Sequence, residues 1–226
     1  MFYDPLYLLL VLLPSLVIGA LVQSYVKNAY KTNIKKGINS RLTGAEVAGT
    51  ILKLKNIHNV SVNMVPGKLT DNYNPLKKSL NLSPNVYRGV SIASAGIAAH
   101  ECGHAIQHAG VYTPLLVRNA IVPVANIGGF LVWPLVILGF IAQLPFLIDI
   151  GIVLFLGIIA FHLITLPVEF NASRRAVNIL KRTNILTVNE LSGARQVLNA
   201  AALTYVANTL VAFLNLVYLL MLRGRR

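Results

Sequence analysis

The chain predicts a mainly α integral membrane protein, with about four transmembrane helices and a small α+β cytoplasmic part. Three observations predict it. Hydrophobic residues make up 55% of the 226 positions and charged residues only 12%. Mean hydropathy is +0.65, too high for a soluble domain. Four apolar runs approach the ~20 residues that span a bilayer, and the stretches between them carry capping, alternation and turn signals.

The first span is read at 6–26. Lys27, Lys31, Lys35, Lys36 and Arg41 follow it, and only Asp4 precedes it. That asymmetry predicts an outside N-terminus and a cytoplasmic first loop. The start lacks a basic n-region, so it reads as a retained anchor and not a cleaved signal. The cytoplasmic α+β part is read at 27–90. Thr43 and Glu46 form a capping box that opens a helix through Ala48, Ile51 and Leu52. Val60, Val62 and Met64 alternate with polar residues and predict a half-buried strand. Pro66-Gly67 predicts a turn, with further short strands at Leu69 to Tyr73 and Ser79 to Leu82. Ser83-Pro84 opens a helical turn, Ser as N-cap and Pro at the first position.

A helix rich in Ala, Gly and Ser is read at 91–110, its core being Ile92 to Ala109. Small residues allow close helix packing. The second span is read at 120–142, with Pro123 and Pro134 tolerated as kinks. Gln143 to Asp149 is a loop, and the third span is 150–166, ended or kinked by Pro167. The segment 167–200 reads as cytoplasmic helices: one from Glu169 to Arg182, basic along its length, and one opened by a second capping box at Thr187 and Glu190. The last span is 201–222. This places all of the 20 basic residues inside except Arg223, Arg225 and Arg226. The tail opposes the positive-inside tendency, so either the last helix stops short or the tail is tolerated. Net charge is +13. In such a chain that implies anionic lipid as a partner, and no aromatic-interleaved patch supports nucleic acid. The single cysteine, Cys102, excludes an internal disulfide.

The chemistry lies in His100-Glu101-Cys102-Gly103-His104. Two histidines four apart share one helix face. They can bind one Zn²⁺, with Glu101 as general base: the H-E-x-x-H pattern of zinc peptidases. A catalytic zinc takes a third protein ligand. His108 is excluded, because it lies ~12 Å from His100 along the axis at ~1.5 Å per residue. The metzincin extension fails too, since Gln107 and Gly110 stand where it needs glycine and histidine. Among the acids, Glu46 and Glu190 are caps, and Asp4 and Asp149 fall on the far side of the bilayer. Asp71 and Glu169 remain, and the position of Glu169 at the inner end of the third span favours it. His58 reads as a loop residue and His162 as a histidine facing protein or a water pocket. Cys102 points away from both histidines and reads as packing.

The chain resembles the bacterial membrane family of neutral zinc metallopeptidases, the YugP-like proteins. The likeness runs nearly end to end, through LTGAEVA at 42–48, LTDNYNP at 69–75, AAHECGHAIQHA at 98–109, RNAIVPVAN at 118–126, LPVEFNASRRA at 166–176 and AAALTYVA at 200–207. It implies a multi-pass plasma-membrane zinc peptidase, with His100 and His104 as ligands and Glu101 as base. The VEFNASRRA segment is similar to the glutamate-ligand segment of membrane gluzincins. That supports Glu169 as third ligand and a zincin-like, gluzincin-type domain. Ser173 stands where those proteins carry Asp, so Ser173 or Asn171 is expected to orient a histidine. Asn72 and Asn74 replace a more usual His and Asp.

Two further readings stand beside zinc-assisted hydrolysis of a protein or peptide at a cytoplasm-facing site. One is a membrane scaffold or assembly factor with structural zinc. The other is an intramembrane protease that uses Asp149, which the predicted topology opposes. For a peptidase, the candidate oxyanion donors are Tyr73, His108, Arg174 and Tyr205.

Overall fold

The computed structural model describes residues 4–224. The chain folds as two compact units, and both are discontinuous in sequence.

The first unit is made of apolar helices. It takes the chain up to Gln23, then Leu116–Pro167, then from Leu203 onward. Four helices are long and apolar enough to cross a membrane: Pro5–Asn33, Thr113–Ile141, Pro145–Arg182 and Val188–Gly224. The first comprises α1 (Pro5–Tyr7), a π-helical turn (Leu8–Leu12) and α2 (Leu13–Asn33); the others are α6, α7 and α8. Val11, Val132, Val136, Phe155, Ile159, Tyr218 and Leu219 form the shared core, so all four helices contribute. Leu9, Leu21, Phe130, Ile141 and Val153 stay outward, as a lipid-facing surface requires.

Two polar ties sit at helix ends of this unit. Tyr218 donates from its hydroxyl to Asp4 at 3.1 Å. Arg223 donates to both oxygens of Asp149, at 2.6 and 3.2 Å. The start of the first helix, the start of α7 and the end of α8 therefore share one end. Helix α8 runs its full length to Gly224, and Arg223 carries its own counter-ion. The apparent conflict of a basic tail is thus met at Arg223 by a local acid.

The second unit bears the sheet. It combines Ser24–Leu115 with Val168–Ala202. Helix α3 (Gly44–Leu54) begins with the expected capping box, in which Thr43 and Glu46 satisfy each other's backbone N–H. Strands β1 (Ser61–Met64), β2 (Asn72–Asn74) and β3 (Ser79–Leu82) form a sheet in the order β1-β3-β2. β1 runs parallel to β3 and β2 antiparallel to it, with Tyr73 opposite Leu80. Helix α4 (Pro84–Tyr87) is a single turn. Helix α5 (Ile92–Ala109) lies over α3 and the sheet. The core joins Val47, Ile51, Leu80, Leu82, Ala98, Cys102, Leu180 and Leu198.

The structure corrects three local expectations. β2 is shorter than the run from Leu69, because Leu69 adopts φ +55° and Thr70 bonds back to the Pro66 carbonyl, so that segment is a turn. Met64 is 44% exposed and does not bury with Val60 and Val62. Ser83 is the N-cap of α4 with Pro84 at the first position, as expected, and its hydroxyl donates to Asp71. Pro167 does not end its helix: α7 runs unbroken from Pro145 to Arg182, and its first turns take in Asp149. One proline removes one backbone bond, which a long packed helix tolerates.

Candidate metal centre

Helix α5 starts at Ser91, whose hydroxyl accepts from the Ser94 N–H. Its inward face is made of Ala95, Ala98, Ala99, Cys102 and Ala105, all buried. Small side chains bring its backbone against α7. The approach is tight at Gly103, where an added Cβ would lie 2.7 Å from the Ala172 carbonyl oxygen and 3.0 Å from its Cα. The residue inside H-E-x-x-H must therefore be glycine for α5 and α7 to meet at this distance.

That contact brings His100 and His104 to Glu169. Glu169 Oε2 lies 3.3 Å from His100 Nε2 and 3.6 Å from His104 Nε2. The ligand atoms of these three residues all fall within 4.8 Å of one another, a grouping that could hold a metal ion. Glu169 is 4% exposed and His104 9%.

The opposite ring nitrogens are held as well. His104 Nδ1 lies 3.0 Å from Gln107 Oε1. Gln107 is fully buried, and its amide nitrogen donates to the Val168 carbonyl at 2.8 Å and to Asn171 Oδ1 at 3.1 Å. That fixes which end of the amide is which. Oε1 must accept, so His104 carries its proton on Nδ1 and turns Nε2 toward Glu169. Asn171 in turn accepts from Arg175 Nε at 2.7 Å, and the Arg175 guanidinium lies 5.9 Å from the Tyr112 ring centre. Ser173 Oγ sits 3.1 Å from His100 Nδ1 and so holds the outer nitrogen of the other ring.

This donor set fits a divalent metal. Two imidazole lone pairs and a carboxylate oxygen aimed at one another repel unless a proton or a cation lies among them. Two histidines and a glutamate are a zinc donor set that leaves a coordination position open. Ring nitrogens pinned by outer partners are the usual support of such ligands. Burial tends to lower the basicity of His104. The Glu169 hydrogen bond and the charges of Glu101 and Glu169 outweigh it, so its pKa is raised. Burial pushes Glu169 up, but bonds from both histidines hold it well below the usual carboxylate range. Glu101 is 8% exposed. Burial raises its pKa, against the pull of His100 and His104.

Other candidates lie elsewhere. Asp71 accepts from the Ser83 N–H and hydroxyl, at 2.7 and 3.1 Å, so its carboxylate is engaged away from the histidines. His108 Nδ1 pairs with the Tyr73 hydroxyl at 2.8 Å, beside a 190 Å³ cavity. Asp149, His162 and Tyr205 belong to the apolar-helix unit. The Cys102 thiol is buried, contacts the Ala48 carbonyl, and is pushed far up by that burial. Gln107 was missed in the sequence. Its only signal there is the spacing of three from His104 on one helix face.

A family model described as "Putative neutral zinc metallopeptidase" matches residues 8–224. The chain belongs to this family. A similar relative is the "Putative membrane protease YugP" of Bacillus subtilis (strain 168), 44% identical over 207 residues, which cover 90% of this chain and 91% of that one. No solved structure matches. Family membership together with the His100, His104 and Glu169 group makes zinc the cofactor of this membrane protein.

Proposed function

We propose that the protein hydrolyses peptide bonds at this centre, with His100, His104 and Glu169 as zinc ligands and Glu101 as general base. The observation that carries the reading is the convergence of two Nε2 atoms and one carboxylate oxygen, with a buried glutamate next in sequence to a ligand. Zinc, when bound, supplies Lewis acidity and lowers the pKa of a coordinated water.

The protein's own groups do the rest. Gln107 and Ser173 hold the two imidazoles with Nε2 toward the ion. Glu101, its basicity increased by burial, takes the proton of the attacking water and passes it to the leaving amine. Strand β2 is an edge of the sheet, and an extended peptide can add to its unpaired side. The basic residues of 27–90 and 167–200 support a cytoplasm-facing site in a bacterial plasma membrane. Those two segments, with the helix at 91–110, form the gluzincin-type part in this reading.

Glu101→Gln tests the proposal. The variant should retain zinc and lose cleavage of membrane-derived peptides. Cleavage that persists at the parental rate in Glu101→Gln does not pass through Glu101 and overturns the reading; zinc retained with no cleavage by the wild type would make the metal structural and the protein a scaffold. Cysteine labelling from either face tests the orientation, and labelling of position 41 from outside refutes it.

A further inference from the structure

A second cavity, of 320 Å³, lies in the sheet-bearing unit, between the α7 segment after Pro167 and the start of α8. Phe170, Ser173 and Arg174 line it from α7, and Arg195, Leu198 and Asn199 from α8. The spacings put each trio on one helix face. Ser173 is also the residue whose hydroxyl meets His100 Nδ1. The cavity therefore shares a wall with the metal centre.

Two arginines line this space, and the chain has no acid free to answer them. It contains seven acids. Asp4 holds Tyr218, Glu46 caps α3, Asp71 holds Ser83, Asp149 pairs with Arg223, Glu169 meets the histidines, and Glu190 accepts from the Asn39 and Thr187 N–H groups. Glu101 is buried. Among the described residues neither Arg174 nor Arg195 forms an ion pair. Leu198 is 3% exposed and gives the cavity an apolar wall. A planar fork of donors over an apolar wall matches a carboxylate.

We propose that this cavity is a substrate subsite that receives a carboxylate of the peptide, held by Arg174 and Arg195, so that the protein selects acidic peptides. The inference builds on the peptidase reading and names its substrate class. The carboxylate is a Glu or Asp side chain or the peptide's C-terminus. A phospholipid headgroup has related chemistry, but the wall shared with His100 favours an occupant that reaches the metal centre. A net charge of +13 draws acidic peptides to the surface.

The test is binding, so it does not depend on turnover. Zinc-loaded full-length Glu101→Gln in phosphatidylcholine nanodiscs is titrated with fluorescent peptides that differ only by Glu or Gln at one position, walked along a neutral sequence. Each is made with a free and an amidated C-terminus. The best acidic peptide should bind about tenfold more tightly than its neutral counterpart. The preference should vanish in Arg174→Gln with Arg195→Gln, whose melting temperature should match the parent because both side chains are exposed. Loss on amidation assigns the terminal carboxylate; persistence assigns the side chain. Equal binding of acidic and neutral peptides overturns the inference, and so does a preference that survives the double substitution. If phosphatidylglycerol nanodiscs abolish the preference, the cavity is a lipid site and the inference falls. Absence of Glu101-dependent cleavage by the wild type would remove the peptidase reading by itself, leaving the binding preference to be judged separately.

Discussion

Gln107→Leu separates a positioned ligand from a merely adjacent one. Leucine is close to glutamine in volume, so little cavity forms. Three hydrogen bonds are lost: to His104 Nδ1, the Val168 carbonyl and Asn171 Oδ1. They are not equivalent. The Val168 carbonyl lies inside α7 and keeps a helical partner, and Asn171 keeps Arg175. His104 Nδ1–H instead faces a buried apolar side chain, at a cost of about 1–3 kcal/mol. The ring can avoid that cost by moving its proton to Nε2, which blocks the metal-facing nitrogen. Loss of such an outer partner typically lowers metal affinity about 10- to 100-fold, and that range is expected here. The assay is competition for zinc against a chromophoric chelator, with the full-length protein in detergent. The melting temperature of the zinc-free variant is read alongside, because simple destabilisation would move it in step with affinity. Unchanged zinc affinity would show that Gln107 does not set the His104 tautomer, and would refute the reasoning.

Three other outcomes are expected. Ser173→Ala should weaken zinc binding by about tenfold, at the lower end for such partners, because its hydroxyl is the outer contact of His100 Nδ1 among the described residues; the same chelator competition reads it. Gly103→Ala should destabilise the fold by about 1–3 kcal/mol and lower zinc occupancy, because the new Cβ meets backbone atoms of Ala172 and not a side chain that can swing away; thermal unfolding followed by metal analysis checks both. Stripping the metal with a chelator should lower the melting temperature of the wild type, since zinc bound at about a thousand times its Kd adds about 4 kcal/mol; a Glu169→Gln variant should show a much smaller drop.

The parts of this molecule legible in the sequence are those whose causes are local. Apolar runs mark the spans, and Thr43 with Glu46 and Thr187 with Glu190 mark two helix starts through bonds made within three residues. The Leu69 turn was not legible, because its apolar residue suits a strand and only the bond from Thr70 to Pro66 decides otherwise. Continuation of α7 through Pro167 depends on packing, which no local rule reports. The centre itself was half legible. Glu169 emerged from elimination because the chain has only seven acids, and capping or topology claims most of them. In a domain of ordinary composition, about a quarter charged, the same elimination would leave many candidates. Gln107 had no such advantage. Its role exists only because Gly103 lets α5 rest on Ala172, which sets the Val168 carbonyl and Asn171 within reach of one buried amide. The residues that aim a metal ligand are thus the hardest to read, since their chemistry is ordinary and their position alone is not.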